Sequence, residues 1–271
     1  GRWLQERART RGFAATEVQI NETETPLHRL ETVYRRLVEH LGTADTASGA
    51  FRGVIDGWFY ALEQDVLADA SVDPDDAEEL LSRTDALMEA RIATISKTAP
   101  AFSAVLRTYR RALAAGDGML ADGLISWLAG QPNVAASIKR AAGIKGDLDH
   151  FGATNFLVGL LTILRDSGYS GLVMVLDEVE TLQRMRTDTR EKGLNALRQW
   201  IDEIDAGRYP GLYLVVTGTP AFFDGPQGVQ RLAPLAQRLH VDFGTDRRFD
   251  NPRAVQIRLA AFDQGALLEV G

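Results

Sequence analysis

A chain of 271 residues with 45% hydrophobic and 25% charged side chains can bury a substantial core, and its composition is that of one large globular domain or two small ones. Its 37 acidic and 30 basic side chains leave a formal charge of −7, which argues against coating nucleic acid by bulk charge and leaves only a local basic patch open. The absence of cysteine removes disulfides, thiolate metal sites and a cysteine nucleophile; no apolar run reaches the ~18–20 residues of a membrane span, and a cytoplasmic protein is expected.

Along residues 2–11, Trp3, Leu4 and Ala8 fall at helical spacing, and Gly12 stops that helix. Residues 13–20 alternate in part and predict a short strand. Residues 21–26 form a loop into a second helix, whose stripe is Leu27, Leu30, Val33, Tyr34, Leu37, Val38 and Leu41. From Gly42 to about Gly146, β-branched runs almost vanish. Helices are expected there at about 50–69, 75–95, 99–115, 117–129 and 133–142, with breaks at Gly116 to Gly118 and Gly130 to Asn133. Asp73-Pro74-Asp75-Asp76 marks a helix start, with proline and acids suited to its first turn. Residues 42–148 therefore read as a large all-helical insertion.

At Asp149 the α/β rhythm returns. A helix over 150–167 and a turn at 168–171 precede residues 172–176, an unbroken apolar run of the kind found in strands buried on both faces of a parallel sheet. A polar helix over 189–205, a second buried strand at Leu212–Val216, a helix over 226–238 and an extended stretch at 254–259 follow. Strands alternating with helices imply right-handed crossovers and a parallel sheet. The expected fold is α/β, with residues 1–41 and 149–271 as its core.

The chemistry sits at the strand ends. Residues 172–176 run directly into Asp177 and Glu178. An Asp at the C-terminal end of such a strand lies where open α/β sheets bind ligands, and can hold Mg²⁺ through water. Glu178 can orient an attacking water beside a γ-phosphate. This is a Walker B pattern, although a buried strand ending in an acidic helix cap would read the same. Thr217 and Thr219 place two hydroxyls at the next strand end, 40 residues after Asp177, where AAA-type ATPases carry a polar sensor. An ordinary Thr-Gly-Thr-Pro turn is the other reading. Arg238, ending the following helix, stands where AAA-type ATPases have an arginine that reaches a neighbouring subunit's nucleotide. It is equally a cation complementing the helix dipole.

One part of an ATP site is missing. No G-x-x-x-x-G-K-[ST] occurs in the chain, and Gly143 to Gly146 and Gly116 to Gly118 follow no strand and lack the spacing. Such a loop joins a strand to the first helix. The expectation is therefore a P-loop NTPase (AAA-like) core lacking the P-loop, with that loop lying immediately before Gly1 in a longer parent. His28, His40, His150 and His240 have no metal-ligand spacing. Arg247, Arg248 and Arg253 could touch nucleic-acid phosphates, or form a solvated loop.

Residues 11–22, 175–180 and 216–223, with 256–259 and then Phe262 and Asp263, are similar to the ATP-binding proteins of BREX phage-defence loci. The resemblance spans most of the chain and is weakest across the helical stretch. It implies ATP binding, a Walker A loop directly before the helix that begins at about Gly1, and a role in restricting phage. The chain departs from it in having no Walker A sequence. The expected function of the parent protein is Mg²⁺-dependent ATP hydrolysis driving assembly or remodelling, while residues 1–271 alone, without that loop, are expected to bind ATP poorly and to be inactive. ATP, further copies of the chain and other defence-system proteins are the expected partners, and a membrane is not. The alternatives are an origin-type AAA ATPase that binds DNA, a signalling ATPase acting as a nucleotide switch, and a helical scaffold without ATP chemistry.

Overall fold

The computed structural model describes residues 1–69, 72, 73, 75–244, 246 and 250–259. Its centre is a parallel sheet of three strands in the order β1-β2-β3, with β1 at Ala14–Gln19, β2 at Leu172–Asp177 and β3 at Leu212–Val216. The apolar run of β2 explains its place. Leu172, Met174, Val175 and Leu176 are fully buried, and Val173 nearly so, because a neighbour lies on each edge and protein on each face. The register sets Gln19 beside Asp177 and Leu176 beside Val216, so all three strands end at one level.

The two faces of the sheet are covered unequally. Ala14, Val18, Leu172, Met174, Leu176 and Leu212 face the main core. On the other face Ala15 and Val173 form a small cluster with Ala8 of helix α1 (Arg2–Arg9), flanked by Leu4, Phe13 and Val215. Helix α1 therefore covers β1 and β2 but leaves Tyr213 of β3 63% exposed. The strand starts approach closely: a Cβ on Gly171 would lie 2.1 Å from Gly211 O, so the turn entering β2 demands glycine.

Between β1 and β2 the described residues contain helices, turns and an isolated antiparallel bridge from Gly42 to Ala15, but no further strand. The helices are α2 (Leu30–Glu39), α3 (Phe51–Leu67), α4 (Ala77–Arg91), α5 (Ala93–Thr98), α6 (Pro100–Ala114), α7 (Gly118–Leu128), α8 (Ala136–Ala141) and α9 (His150–Asp166). Several starts are set by local side chains: Asp76, Asp117 and Asp149 each accept a hydrogen bond from the first turn of α4, α7 and α9. These helices share one apolar core with the sheet. Phe156 of α9 meets Tyr34, Phe102 and Trp127 at centroid distances of 6.0, 5.0 and 5.4 Å, and the cluster continues to Val18 and Leu176. Thr16 of β1, fully buried, donates to Leu37 O of α2 at 2.9 Å.

The crossover from β2 to β3 passes through a 3₁₀ turn at Val179–Arg184 and helix α10 (Thr187–Asp205). After β3 the structure differs from the expected helix over 226–238. Instead it forms α11 (Pro220–Asp224), a 3₁₀ turn at Val229–Arg231 and α12 (Ala233–Arg238). The chain folds tightly at Gly228, where a Cβ would lie 1.9 Å from Phe222 O, and Pro234 starts the last helix without needing an N–H partner. The helix expected over 75–95 is divided at Ile92 into α4 and α5. Residues 254–259 join no strand; Gln256 reaches Leu239 O and Arg258 pairs with Asp250. Pro74, Arg247, Arg248, Phe262 and Asp263 lie outside the described residues. No helix among the described residues is long and apolar enough to cross a membrane.

Candidate functional site

The strand ends are tied together through Asp177. Its carbonyl accepts from Ile20 N at 3.0 Å, just beyond β1. Its Oδ1 accepts from Glu178 N at 3.0 Å and from the hydroxyl of Thr217 at the end of β3. Thr217 N in turn donates to Leu176 O at 2.9 Å, and Thr181 Oγ1 in the following 3₁₀ turn donates to Ile20 O at 3.0 Å. One half-buried carboxylate thus fixes the end of β3 and the turn leaving β2, while its Oδ2 faces no protein donor among the described residues.

Glu178 adopts the left-handed region, with φ 57 and ψ 35. A side chain there is strained by about 1–2 kcal/mol, and glycine is the usual occupant. The conformation turns the chain sharply out of β2 and leaves the Glu178 side chain exposed. Glu180, two residues on, is half-buried, with Oε2 buried and unpartnered. The sequence signal for Glu180 was present as a third acid after β2, but nothing in its spacing alone separated it from a solvated turn.

Helix α1 begins at the same end of the sheet. The N-terminal nitrogen of Gly1 lies 3.9 Å from Glu17 Oε2, and Gln5 Nε2 donates to that oxygen at 2.9 Å. Glu17 pairs in register with Val175, two positions before Asp177. The first turn of α1, with no side-chain cap, therefore opens toward the strand ends and carries the positive end of its dipole there.

The other two expected site residues are placed differently. Thr219 is exposed at the start of α11 and makes no side-chain cap there. Arg238 pairs with both oxygens of Asp202 and also donates to Pro234 O. Asp202 lies in the last turn of α10, which leads away from Asp177 and down to the start of β3. Asp177, Glu178 and Thr217 are thus brought together, Thr219 adjoins them, and Arg238 is held elsewhere.

Chemically, the strand ends offer a carboxylate oxygen without a protein donor, a free exposed carboxylate and a hydroxyl. Among the described residues no group of three or more His, Asp or Glu side chains converges to enclose a metal. This donor set fits a hard, largely hydrated cation such as Mg²⁺, which needs only one or two carboxylates. A hollow of about 630 Å³ lies apart from these residues. It is lined by Arg29, Arg35, Arg36 and His150 among others, and two of those arginines are already neutralised, Arg29 by Glu31 and Arg36 by Glu24 and Glu39.

A three-stranded parallel sheet within a helix-rich chain, its adjoining strand ends presenting acid, acid and hydroxyl, defines an α/β protein. A family profile described as "BREX system ATP-binding protein BrxC/D" matches residues 1–271. The chain belongs to that family, and so to the ATP-binding components of a phage-defence system. No curated protein and no solved structure matches it.

The strain at Glu178 makes a prediction that needs no ligand. Glu178→Gly should raise unfolding stability by about 1 kcal/mol, read by denaturant titration, because glycine occupies this φ without a Cβ clash. A loss of stability would show that Glu178 is not held in the left-handed region.

Proposed function

We propose that the chain forms the metal-and-water side of a Mg-ATP site on an AAA-type P-loop core, and that hydrolysis drives assembly or remodelling in the defence system. The observation that carries this reading is the meeting of Asp177, Glu178 and Thr217 at adjoining parallel strand ends. In it, Asp177 would hold a hydrated Mg²⁺. Glu178, without protein partners among the described residues at the exit of β2, would orient the attacking water and accept its proton. Thr217, and Thr219 beyond it, contact the γ-phosphate side. The Mg²⁺ supplies charge neutralisation across the phosphates.

Two features of the sheet support the same reading. The outer edge of β3 is unpaired among the described residues, yet Leu-Tyr-Leu-Val-Val carries no charge, proline or bulge to protect an edge. We read that edge as the place for a further parallel strand whose C-terminal loop brings backbone N–H groups to the phosphates. The first turn of α1 opens onto the same end. On this reading residues 1–41 and 149–271 are the ATPase core, and 42–148 an all-helical insertion packed onto it.

In the full-length protein, Glu178→Gln should leave Mg-ATP affinity within a few-fold and lower turnover on the order of 100-fold or more. Steady-state ATPase assays with calorimetry check it, and unchanged turnover would remove Glu178 from this role.

Arg238 is proposed to act on a neighbouring copy's nucleotide after release from Asp202. Arg238→Ala should then lower turnover of the assembled protein, while Asp202→Asn, which frees the guanidinium, should preserve or raise it. Equal losses from both variants would mark the pair as a structural brace between α10 and α12.

A further inference from the structure

Glu180 stands out as a polar group that the fold buries without satisfying. Its Oε2 is buried and has no hydrogen-bond partner among the described residues. Buried carboxylate oxygens are nearly always paired, so an orphan one calls for a physical explanation. The neighbours of this one are specific. A Cβ on Gly218 would lie 3.4 Å from Glu180 Oε2, 3.0 Å from Val179 Cγ2 and 3.3 Å from a Phe223 ring carbon. The turn after Glu178 is therefore packed directly onto the backbone between Thr217 and Thr219, and a glycine at 218 permits that approach.

The neighbouring backbone is complementary to this oxygen in chemistry. Among the described residues, the backbone N–H groups of Gly218 and Thr219 donate to no backbone acceptor. A buried acceptor without a donor thus lies beside exposed N–H groups that no backbone acceptor takes among the described residues, at the end of β3 where Thr217 already binds Asp177. Thr181, next to Glu180, is anchored to Ile20 O, which fixes the turn from its other side.

We propose that Glu180 is a positioning residue for the β3 tip: when nucleotide engages Thr217 and Thr219, the backbone of Gly218 and Thr219 closes onto the Glu180 carboxylate and is held there. The inference rests on the proposed ATP site and adds to it a residue that acts through the tip rather than on the nucleotide. In the absence of nucleotide Oε2 has no donor among the described residues, so this oxygen adds no hydrogen bond to the resting fold. Its effect is felt in turnover. Outer groups that orient a site's inner contacts typically matter on the order of 10–100-fold.

The experiment uses the full-length protein and three forms: wild type, Glu178→Gln and Glu180→Gln. Each is assayed for Mg-ATP turnover with kcat and KM separated, and for thermal unfolding without nucleotide. Glu180→Gln should lower kcat about tenfold or more with KM nearly unchanged, and should leave the melting temperature of the nucleotide-free protein unchanged or raised. A brace would show the opposite signature, with a lowered melting temperature accompanying the loss of turnover, and that result overturns the proposal. Wild-type turnover that Glu178→Gln abolishes but Glu180→Gln leaves intact also overturns it, while leaving the proposed function standing. Wild-type protein that hydrolyses no ATP, or a Glu178→Gln variant as fast as wild type, sinks the proposed function and this inference with it.

Discussion

The arrangement of the strand ends depends on the Asp177 carboxylate, which ties the end of β2 to the end of β3. Two neighbouring parallel strands could end at different levels or diverge. Here the register sets Leu176 beside Val216, and Asp177 Oδ1 then captures both the Thr217 hydroxyl and the Glu178 N–H. That pairing is possible because β2 is apolar throughout and buried on both faces, which fixes it as the central strand. The core therefore reaches the site through one polar residue at the strand's last position.

Around this anchor the structure keeps polar groups in reserve. Glu178 is held in a backbone region that costs free energy, and among the described residues Glu180 carries an orphan oxygen and Asp177 Oδ2 faces no protein donor. Strain and unsatisfied groups of this kind persist only where surrounding packing enforces them, and they collect at functional positions. The surrounding packing is strong: Phe156, Phe102, Trp127 and Tyr34 lock the helices onto the sheet, and the same apolar cluster runs to Leu176. The rigid core and the strained edge are two consequences of one buried strand.

Much of this was legible in the sequence, for reasons that particular residues make plain. The apolar run ending in Asp177 and Glu178 could only be a buried strand or a buried helix, and its shortness and flanking glycines favoured the strand. The acidic stretch ending at Asp76 marked a helix start because a capping carboxylate acts within two or three residues, whereas Asp117 and Asp149 cap α7 and α9 in the same way at positions legible only as a break and as a change of rhythm. The single helix expected over 226–238 does not form because local breakers divide the stretch: Gly228 passes tightly over Phe222 O only six residues back, and Pro234 lies in the first turn of the helix that follows. The partnership of Arg238 with Asp202 spans 36 residues and left no local trace. The left-handed turn at Glu178 was equally hidden, since a glutamate there runs against its own preference.

The central claim is that the strand ends at Asp177, Glu178 and Thr217 are the nucleotide edge. Backbone NMR of residues 1–271, titrated with Mg²⁺ and a non-hydrolysable ATP analogue up to millimolar concentrations, tests it even when binding is weak. The account predicts shift changes concentrated at 176–181, at 216–219 and in the first turn of α1. Changes confined to the hollow lined by Arg29, Arg35, Arg36 and His150, or no Mg²⁺-dependent change at Asp177 and Glu178, would contradict it.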